Sequence, residues 1–281
     1  MKIAVIILNY NSSDDCRKCV SYLKRQEGVD LEIVIVDNCS PDVDKVKRLC
    51  QEEGCTFIAN SENRGYNAGN NVGLRYSASK GYKYALIANP DMEFPQTDYV
   101  YSLLKIMENN DDIVVCGGNI ISLNGERQSP KRFTTYFEEA FWFITGFCKL
   151  FNKNMTYILP PRNQFCDILM GSCILVRIDF MQHIGFFDEN IFLFCEEPIL
   201  GKQVKLANKK MYYLQDKFAV HAHEEKSKGS LIYRHKIYWK SRWYFLTHYS
   251  NYSNIELSIM WLSKKILYLY KYIYFKINKI K

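Results

Sequence analysis

Carboxylates stand where apolar runs of this chain give way to polar residues. Asp37 closes LEIVIVD, Asp91 and Glu93 follow LIANP, and Glu196 and Glu197 follow IFLFC. In AVHAH, His221 and His223 alternate to one face of a strand, so either can ligate a metal. An acid fixed just past a strand end is what a divalent cation, Mg²⁺ or Mn²⁺, needs to bridge protein and diphosphate, and Asp91 answers that description. Taken alone, Pro90-Asp91 is also an ordinary turn. Asp37 can accept from a ribose hydroxyl or from the imide N–H of uracil or thymine. Glu196 and Glu197, with Pro198 in the first turn, either stabilise a helix dipole or aim a general base into a crevice. Glu93 carries no assigned role and is expected to face solvent.

ENRGYNAGNNVG, residues 62–73, adds glycines, amides and an arginine at a helix start. Small residues allow close backbone approach and a helix N-terminus favours phosphate, although a glycine-lined turn without ligand has the same composition. The dinucleotide glycine fingerprint is absent after the first strand, where the chain reads NYNSSDD, which argues against a nicotinamide cofactor.

The elements that must position these groups follow from periodicity. KIAVIIL, LEIVIVD, CTFIAN, YKYALIAN and IVVCGGNI alternate with amphipathic segments, which predicts an α/β fold with helices on both faces of a mostly parallel sheet. In such sheets ligands bind beyond the carboxyl ends of the strands. The strand ends here are Asn9-Tyr10-Asn11-Ser12, Asp37-Asn38-Cys39-Ser40, Asn60-Ser61-Glu62-Asn63 and Asn89-Pro90-Asp91, all polar, and they are expected to converge on one site. The later segments DILMGSCILVR, KMYYL and FAVHAH complete the sheet and close the site. In KRFTTYFEEAFWFITGFCKLF a helical pitch puts Phe133, Phe137, Ala140, Ile144, Phe147 and Phe151 on one face, packed on the sheet or touching an acceptor.

Lys and Arg total 37 against 30 Asp and Glu, and the excess is conspicuous in WLSKKILYLYKYIYFKINKIK, which has six lysines and no acid. Over roughly 255–280 one arc collects Leu262, Ile266, Leu269, Ile273, Ile277 and Ile280, and another collects Lys264, Lys265, Lys271, Lys276 and Lys279. This helix either lies in a membrane interface or packs on the domain with a solvated lysine face. No run approaches about 18 uninterrupted apolar residues, so no spanning helix is predicted. Ile3 to Leu8 is too short for a signal-peptide core, which predicts a cytoplasmic chain, peripheral on the cytoplasmic face of the plasma membrane if that basic helix lies in the interface. The ten cysteines are scattered, and Cys16-Arg-Lys-Cys19 lacks the second pair a zinc ribbon needs, so they read as reduced thiols. The chain divides into a main domain over 1–230 and a helical, basic amphipathic extension over 231–281.

VIILNYN, VDNCS, NRGYNAGNNVG, LIANPD, ILMGSCILVR, GFFDENIFLFCEE and VHAH, in this order, resemble the bacterial family 2 glycosyltransferases of the GT-A fold, nearest the rhamnosyltransferase-like branch that builds capsule and O-antigen polysaccharides. The resemblance spans roughly residues 2–250. It implies that Asp37 binds the nucleobase with Asn9 and Asn11 lining its pocket, and that Asn63, Arg64 and Gly65 lie by the nucleotide. It implies that Asp91 is the metal-binding acid of a DxD equivalent spelled Asn89-Pro90-Asp91, with His221 as second ligand. Gly171 and Ser172 would border donor sugar and acceptor. The family's base comes from a Glu-Asp pair, here Glu196-Glu197, and the acid that commonly follows two residues later is Ile199. The implied donor is a UDP- or dTDP-sugar such as dTDP-rhamnose, the implied acceptor a lipid-linked saccharide, and nucleic acid is not an expected partner. A nucleotide-sugar-binding subunit without turnover and a nucleotidyltransferase are the rival readings.

Overall fold

The structure, a computed structural model, describes residues 1–41, 43–141, 143, 157–222 and 231–277. β1 (Lys2–Asn9), β2 (Asp30–Asp37), β3 (Thr56–Ala59) and β4 (Tyr84–Ala88) alternate with α1 (Ser13–Leu23), α2 (Val43–Glu53) and α3 (Tyr66–Ser79). These strands run parallel, and their register sets Asn9 beside Asp37 and Ile7 beside Ala88, so the polar ends share one edge as expected.

The second half contributes β5 (Met92–Glu93), α4 (Tyr99–Glu108), β6 (Ile113–Ser122), α5 (Tyr136–Ala140), β7 (Gln164–Cys166), β8 (Cys173–Arg177), α6 (Ile178–His183), α7 (Glu196–Leu206) and β9 (Lys210–His221). The sheet order is β3-β2-β1-β4-β8-β6-β9-β5, with β7 on β9. β6 does not continue directly from β4 as strand–helix alternation suggests. The antiparallel β8 intervenes, and β6 pairs parallel with β9 on its other side. KMYYL and FAVH form one twelve-residue strand, with a register shift opposite Gly118–Asn119.

Apolar residues on alternate faces of the strands explain the layers. Ile3, Val5 and Ile7 pack with α1, α2 and α4, whereas Ala4 and Ile6 pack with α3, α6 and α7. Gly69 and Gly73 let α3 settle on β1: a Cβ at either would stand 2.4 Å from Leu8 or 2.5 Å from Ile6. These two glycines therefore serve packing and not phosphate approach.

α5 is shorter than the aromatic pattern suggests. Thr135 and Glu138 form a capping box that starts the helix at Tyr136, which leaves Phe133 outside it, while Phe137 is exposed and Ala140 buried. Ile144, Phe147 and Phe151 lie outside the described residues.

α8 (Leu231–Tyr249) and α9 (Asn254–Ile277) close a third apolar cluster in which Phe245, Leu246 and Met260 meet Ala140, Ile191, Cys195 and Ile199. Tyr244 and Tyr249 hydroxyls donate to Asp188 at 2.9 and 2.7 Å, and Ser241 donates to the Leu193 carbonyl at 2.7 Å. α8 is thereby fastened to the segment that leads into Glu196.

The faces of α9 do not divide simply into lysine and apolar. Lys264 points inward onto Glu139, whereas Leu262, Ile266, Leu269, Ile273 and Ile277 are exposed. Lys264 leaves the solvated lysine face because the buried Glu139 draws it in, while Lys265 stays exposed. Ile280 and Lys279 lie outside the described residues. Among those described, no helix is long and apolar enough to cross a membrane.

Candidate functional site

The ends of β1 and β2 are sewn together around Asp37. Its Oδ1 accepts from Asn9 Nδ2 at 2.7 Å and its Oδ2 from the Ser40 N–H at 2.9 Å. Asn9 Oδ1 in turn accepts from the Ser12 N–H, and Ser40 Oγ accepts from the Asn11 N–H, each at 3.1 Å. Asn9 and Asp37 are fully buried, while Asn11 is exposed with left-handed backbone. A buried carboxylate needs such donors, because desolvation without them costs several kcal/mol, on the order of 2–7 for an uncompensated polar group.

A second amide network adjoins it. Asn38 Nδ2 donates to Asn63 Oδ1 at 2.9 Å and accepts, through Oδ1, from Asn60 Nδ2 at 3.1 Å. Asn63 Oδ1 also takes the Gly65 N–H at 2.9 Å. Gly65 has φ 98°, and a Cβ there would stand 2.2 Å from the Phe192 carbonyl, so no other residue fits. Arg64 does not join the network. It reaches outward to Glu189 at 3.2 Å, which Arg75 also holds at 2.7 Å.

Past β4, Asp91 and His221 meet: Oδ1 lies 3.3 Å from Nε2. β5 makes this possible, since Met92 pairs with His221 across the antiparallel β5–β9 ladder. On the far side of the ring His221 Nδ1 lies 3.1 Å from Gln128 Oε1. An Nδ1–H donated to Gln128 leaves the Nε2 lone pair toward Asp91. A hard oxygen beside an imidazole nitrogen suits Mg²⁺ or Mn²⁺, with phosphate oxygens and water in the other positions. Among the described residues no group of three or more His, Cys, Asp or Glu gathers as a cage, so such a cation would lean on its ligand's phosphates. His223 lies outside the described residues.

Glu93 corrects an expectation. It turns away from the crevice but not to solvent, held by Lys18 and by the Tyr22 hydroxyl at 3.1 Å, because α1 packs over β5.

The acid pair at the start of α7 closes on Gly171. Phe194 and Cys195 both have left-handed backbone, which swings the chain into the helix. Gly171 N–H lies 3.4 Å from Glu197 Oε1, and a Cβ on Gly171 would stand 3.4 and 3.6 Å from Glu197 and Glu196 Cγ. The two acids differ sharply. Among the described residues Glu196 Oε2 is buried without a hydrogen-bond partner, and burial, reinforced by the Glu197 charge, pushes its carboxyl well above the usual carboxylate range. Glu197 lines a cavity of about 630 Å³ that α7 shares with α8, α9 and the 131–139 segment. Its place on the cavity makes Glu197 the member fitted to take a proton. Ile199 is buried in the third apolar cluster, so the acid lacking there leaves no gap in the cavity wall.

Tyr66, which the motif reading passed over, joins these parts. Its hydroxyl lies 2.8 Å from the Gly171 carbonyl and 3.2 Å from Asn89 Oδ1. Burial and the Glu196 and Glu197 charges hold its phenol well above the ordinary value, so it remains a donor. The Asn89 N–H donates to the Ser172 carbonyl at 2.8 Å, which places Gly171-Ser172 beside the Asn89-Pro90-Asp91 turn. Gln128 was likewise missed; the only signal for Tyr66 is its place directly after Gly65 in NRGYN.

Comparison with known proteins agrees with this arrangement. The hexosyltransferase Agl10 of low-salt glycan biosynthesis in Haloferax volcanii is 27% identical over 69% of this chain, a match that spans 59% of Agl10. The rhamnosyltransferase WbbL of Escherichia coli is 24% identical over 83% of this chain and 88% of its own. Among solved structures, Staphylococcus aureus TarS in complex with UDP shares the fold with a TM-score of 0.58 at 16% identity, over 92% of this chain and 70% of that one. The mannosyltransferase PcManGT of Pyrobaculum calidifontis, in complex with GDP-Man and Mn²⁺, does so with 0.61 at 13% identity, over 92% and 67%. The mixed sheet between helix layers is the GT-A fold of these enzymes. The profile of the family described as glycosyl transferase family 2 matches residues 4–180, well over half of the chain, and the protein belongs to that family.

Proposed function

We propose that the protein is an inverting glycosyltransferase that moves a sugar from a UDP- or dTDP-sugar, of which dTDP-rhamnose is one, to a lipid-linked saccharide in capsule or O-antigen synthesis. The observation that carries the reading is Glu197, set against Gly171 and facing the cavity while the Oε2 of its neighbour Glu196 is buried. In this reading Glu197 takes the proton of the acceptor hydroxyl as that oxygen attacks the anomeric carbon from the side opposite the diphosphate. Asn9, Asn11 and Asp37 hold the nucleobase, Asn63, Arg64 and Gly65 flank the nucleotide, and Asn89, Gly171 and Ser172 border the sugar. Asp91 and His221 would hold Mg²⁺ or Mn²⁺, which when bound supplies positive charge to the departing diphosphate.

The exposed apolar arc of α9 supports a seat on a membrane. Trp261, Tyr270, Tyr272 and Tyr274 are exposed too and, at helical pitch, flank that arc on its two sides, as amphipathic rings do at a lipid headgroup boundary. Residues 257–281 carry lysine and no acid, so a second copy of this helix would be repelled where an anionic lipid surface is attracted.

The test is a melting-temperature panel of nucleoside diphosphates and nucleotide sugars with and without Mn²⁺, followed by transfer to lipid-linked saccharides. A UDP or dTDP compound is expected to raise the melting temperature, and transfer is expected to release the nucleoside diphosphate. No shift with any of them defeats the reading. Binding without transfer to any acceptor would mark a nucleotide-sugar-binding subunit instead, and release of pyrophosphate a nucleotidyltransferase.

A further inference from the structure

The cavity beside Glu197 carries more positive charge than its own acids answer. Arg132 is held bidentately by Glu138, at 2.6 and 2.8 Å, and Arg242 and Lys264 both close on the buried Glu139. Lys131 and Lys202 remain. Among the described residues neither forms an ion pair: Lys131 Nζ has only the weak acceptor Met170 Sδ at 3.2 Å, and Lys202 Nζ lies over the Phe133 ring at 4.6 Å. Asp167 stands near Lys202, but its Oδ2 accepts the Phe133 N–H at 3.1 Å. Burial, with Lys205 adding to it, holds the Lys202 ammonium below its ordinary range and outweighs the pull of Asp167. Partly buried ammonium groups without a carboxylate are costly in the empty protein, and a bound anion would relieve both.

From this we infer that the cavity is an acceptor site for a molecule bearing an oxyanion, gripped by Lys131 and Lys202 while its hydroxyl faces Glu197. The inference rests on the transferase reading above and narrows its acceptor to an acidic one. The chemistry is shared by a phosphate ester of a lipid-linked saccharide and by the carboxylate of an acidic sugar.

The experiment is calorimetric titration of the full-length protein at low salt with octyl phosphate, octyl glucuronide and the neutral octyl glucoside, all below their micellar ranges. The neutral probe accounts for whatever the octyl chain binds elsewhere, including α9. At least one anionic probe is expected to bind about tenfold or more tightly than octyl glucoside, as charge-assisted hydrogen bonds allow. Which of the two does so distinguishes phosphate from carboxylate. The K131M/K202M variant should lose the preference and K131R/K202R should keep it. Equal binding of all three probes, or a preference that survives K131M/K202M, overturns the inference. UDP titrated with Mn²⁺ into the same samples reports the fold and the donor site: if it binds while the anionic probes show no preference, the acceptor inference alone fails.

Discussion

Asp91 Oδ1 stands 3.3 Å from His221 Nε2, although the two residues come from opposite halves of the chain. β5 and β9 pair just where Met92 meets His221, so the contact follows from the sheet and not from a flexible approach. Asp91→Ala should abolish the Mn²⁺-dependent part of donor binding, read as the metal-dependent rise in melting temperature. Gln128→Leu, which touches no ligand, should raise the Mn²⁺ concentration needed by roughly 10–100-fold through loss of ring orientation. Unchanged metal dependence in Asp91→Ala would remove this pair from the site.

The acids of α7 should separate cleanly. Glu197→Gln should lower transfer by about 10²–10⁴ and leave donor binding intact. Glu196→Gln should keep transfer and also stabilise the protein at higher pH. The sign follows from its raised carboxyl: protons stay on the folded form after the unfolded chain has lost them, so the native residue's contribution falls as pH rises above the unfolded value. Melting curves across pH would show the native protein losing ground to this variant above about pH 4.3.

Asp37 has a structural role beside the binding role proposed for it. Asp37→Ala takes the acceptor from the buried Ser40 N–H and leaves the Asn9 amide only the Ser40 hydroxyl at 3.1 Å, and should destabilise by about 1–3 kcal/mol in urea unfolding. A loss of donor binding with unchanged stability would instead assign it a purely ligand-facing role.

Arg132 holds the Glu138 carboxyl down at about 2, with the Thr135 N–H assisting. A depressed carboxyl contributes stability above its unfolded value and loses it as pH falls toward the folded one. Arg132→Met should therefore cost on the order of 1–2 kcal/mol at neutral pH, allowing for solvent screening at a partly exposed pair. The difference from the native protein should shrink from about pH 4.5 downward and vanish near pH 2.

For α9, Ile266→Glu with Leu269→Glu should weaken partition onto phosphatidylglycerol vesicles by about tenfold or more. Transfer to a short soluble acceptor should be unaffected. Vesicle binding that ignores these changes would move membrane contact elsewhere.

What could be read before the fold was known follows from range. Asn9, Asp37 and Asn89 end β-branched runs, and neighbouring parallel strands bring such ends together by register alone. The pairing of Asp91 with His221 was reachable only through the family's motif order, since it depends on β5 and β9 meeting across the sheet. Glu93 was misjudged because its partner, Lys18, sits on a helix that local pattern cannot dock. The inward lysine of α9 escaped for the same reason: Lys264 looks solvent-facing until Glu139 is placed behind it.

That inward lysine has a practical meaning. Lys264 and Arg242 reach Glu139 from different helices, so the wall opposite Glu197 exists only when α8 and α9 are both docked. The segment matched by the family ends at residue 180, after Glu139 but before α8 and α9 begin. A protein whose α8 and α9 are exchanged for those of a relative should therefore keep its nucleotide-dependent rise in melting temperature and change only how it binds an acceptor.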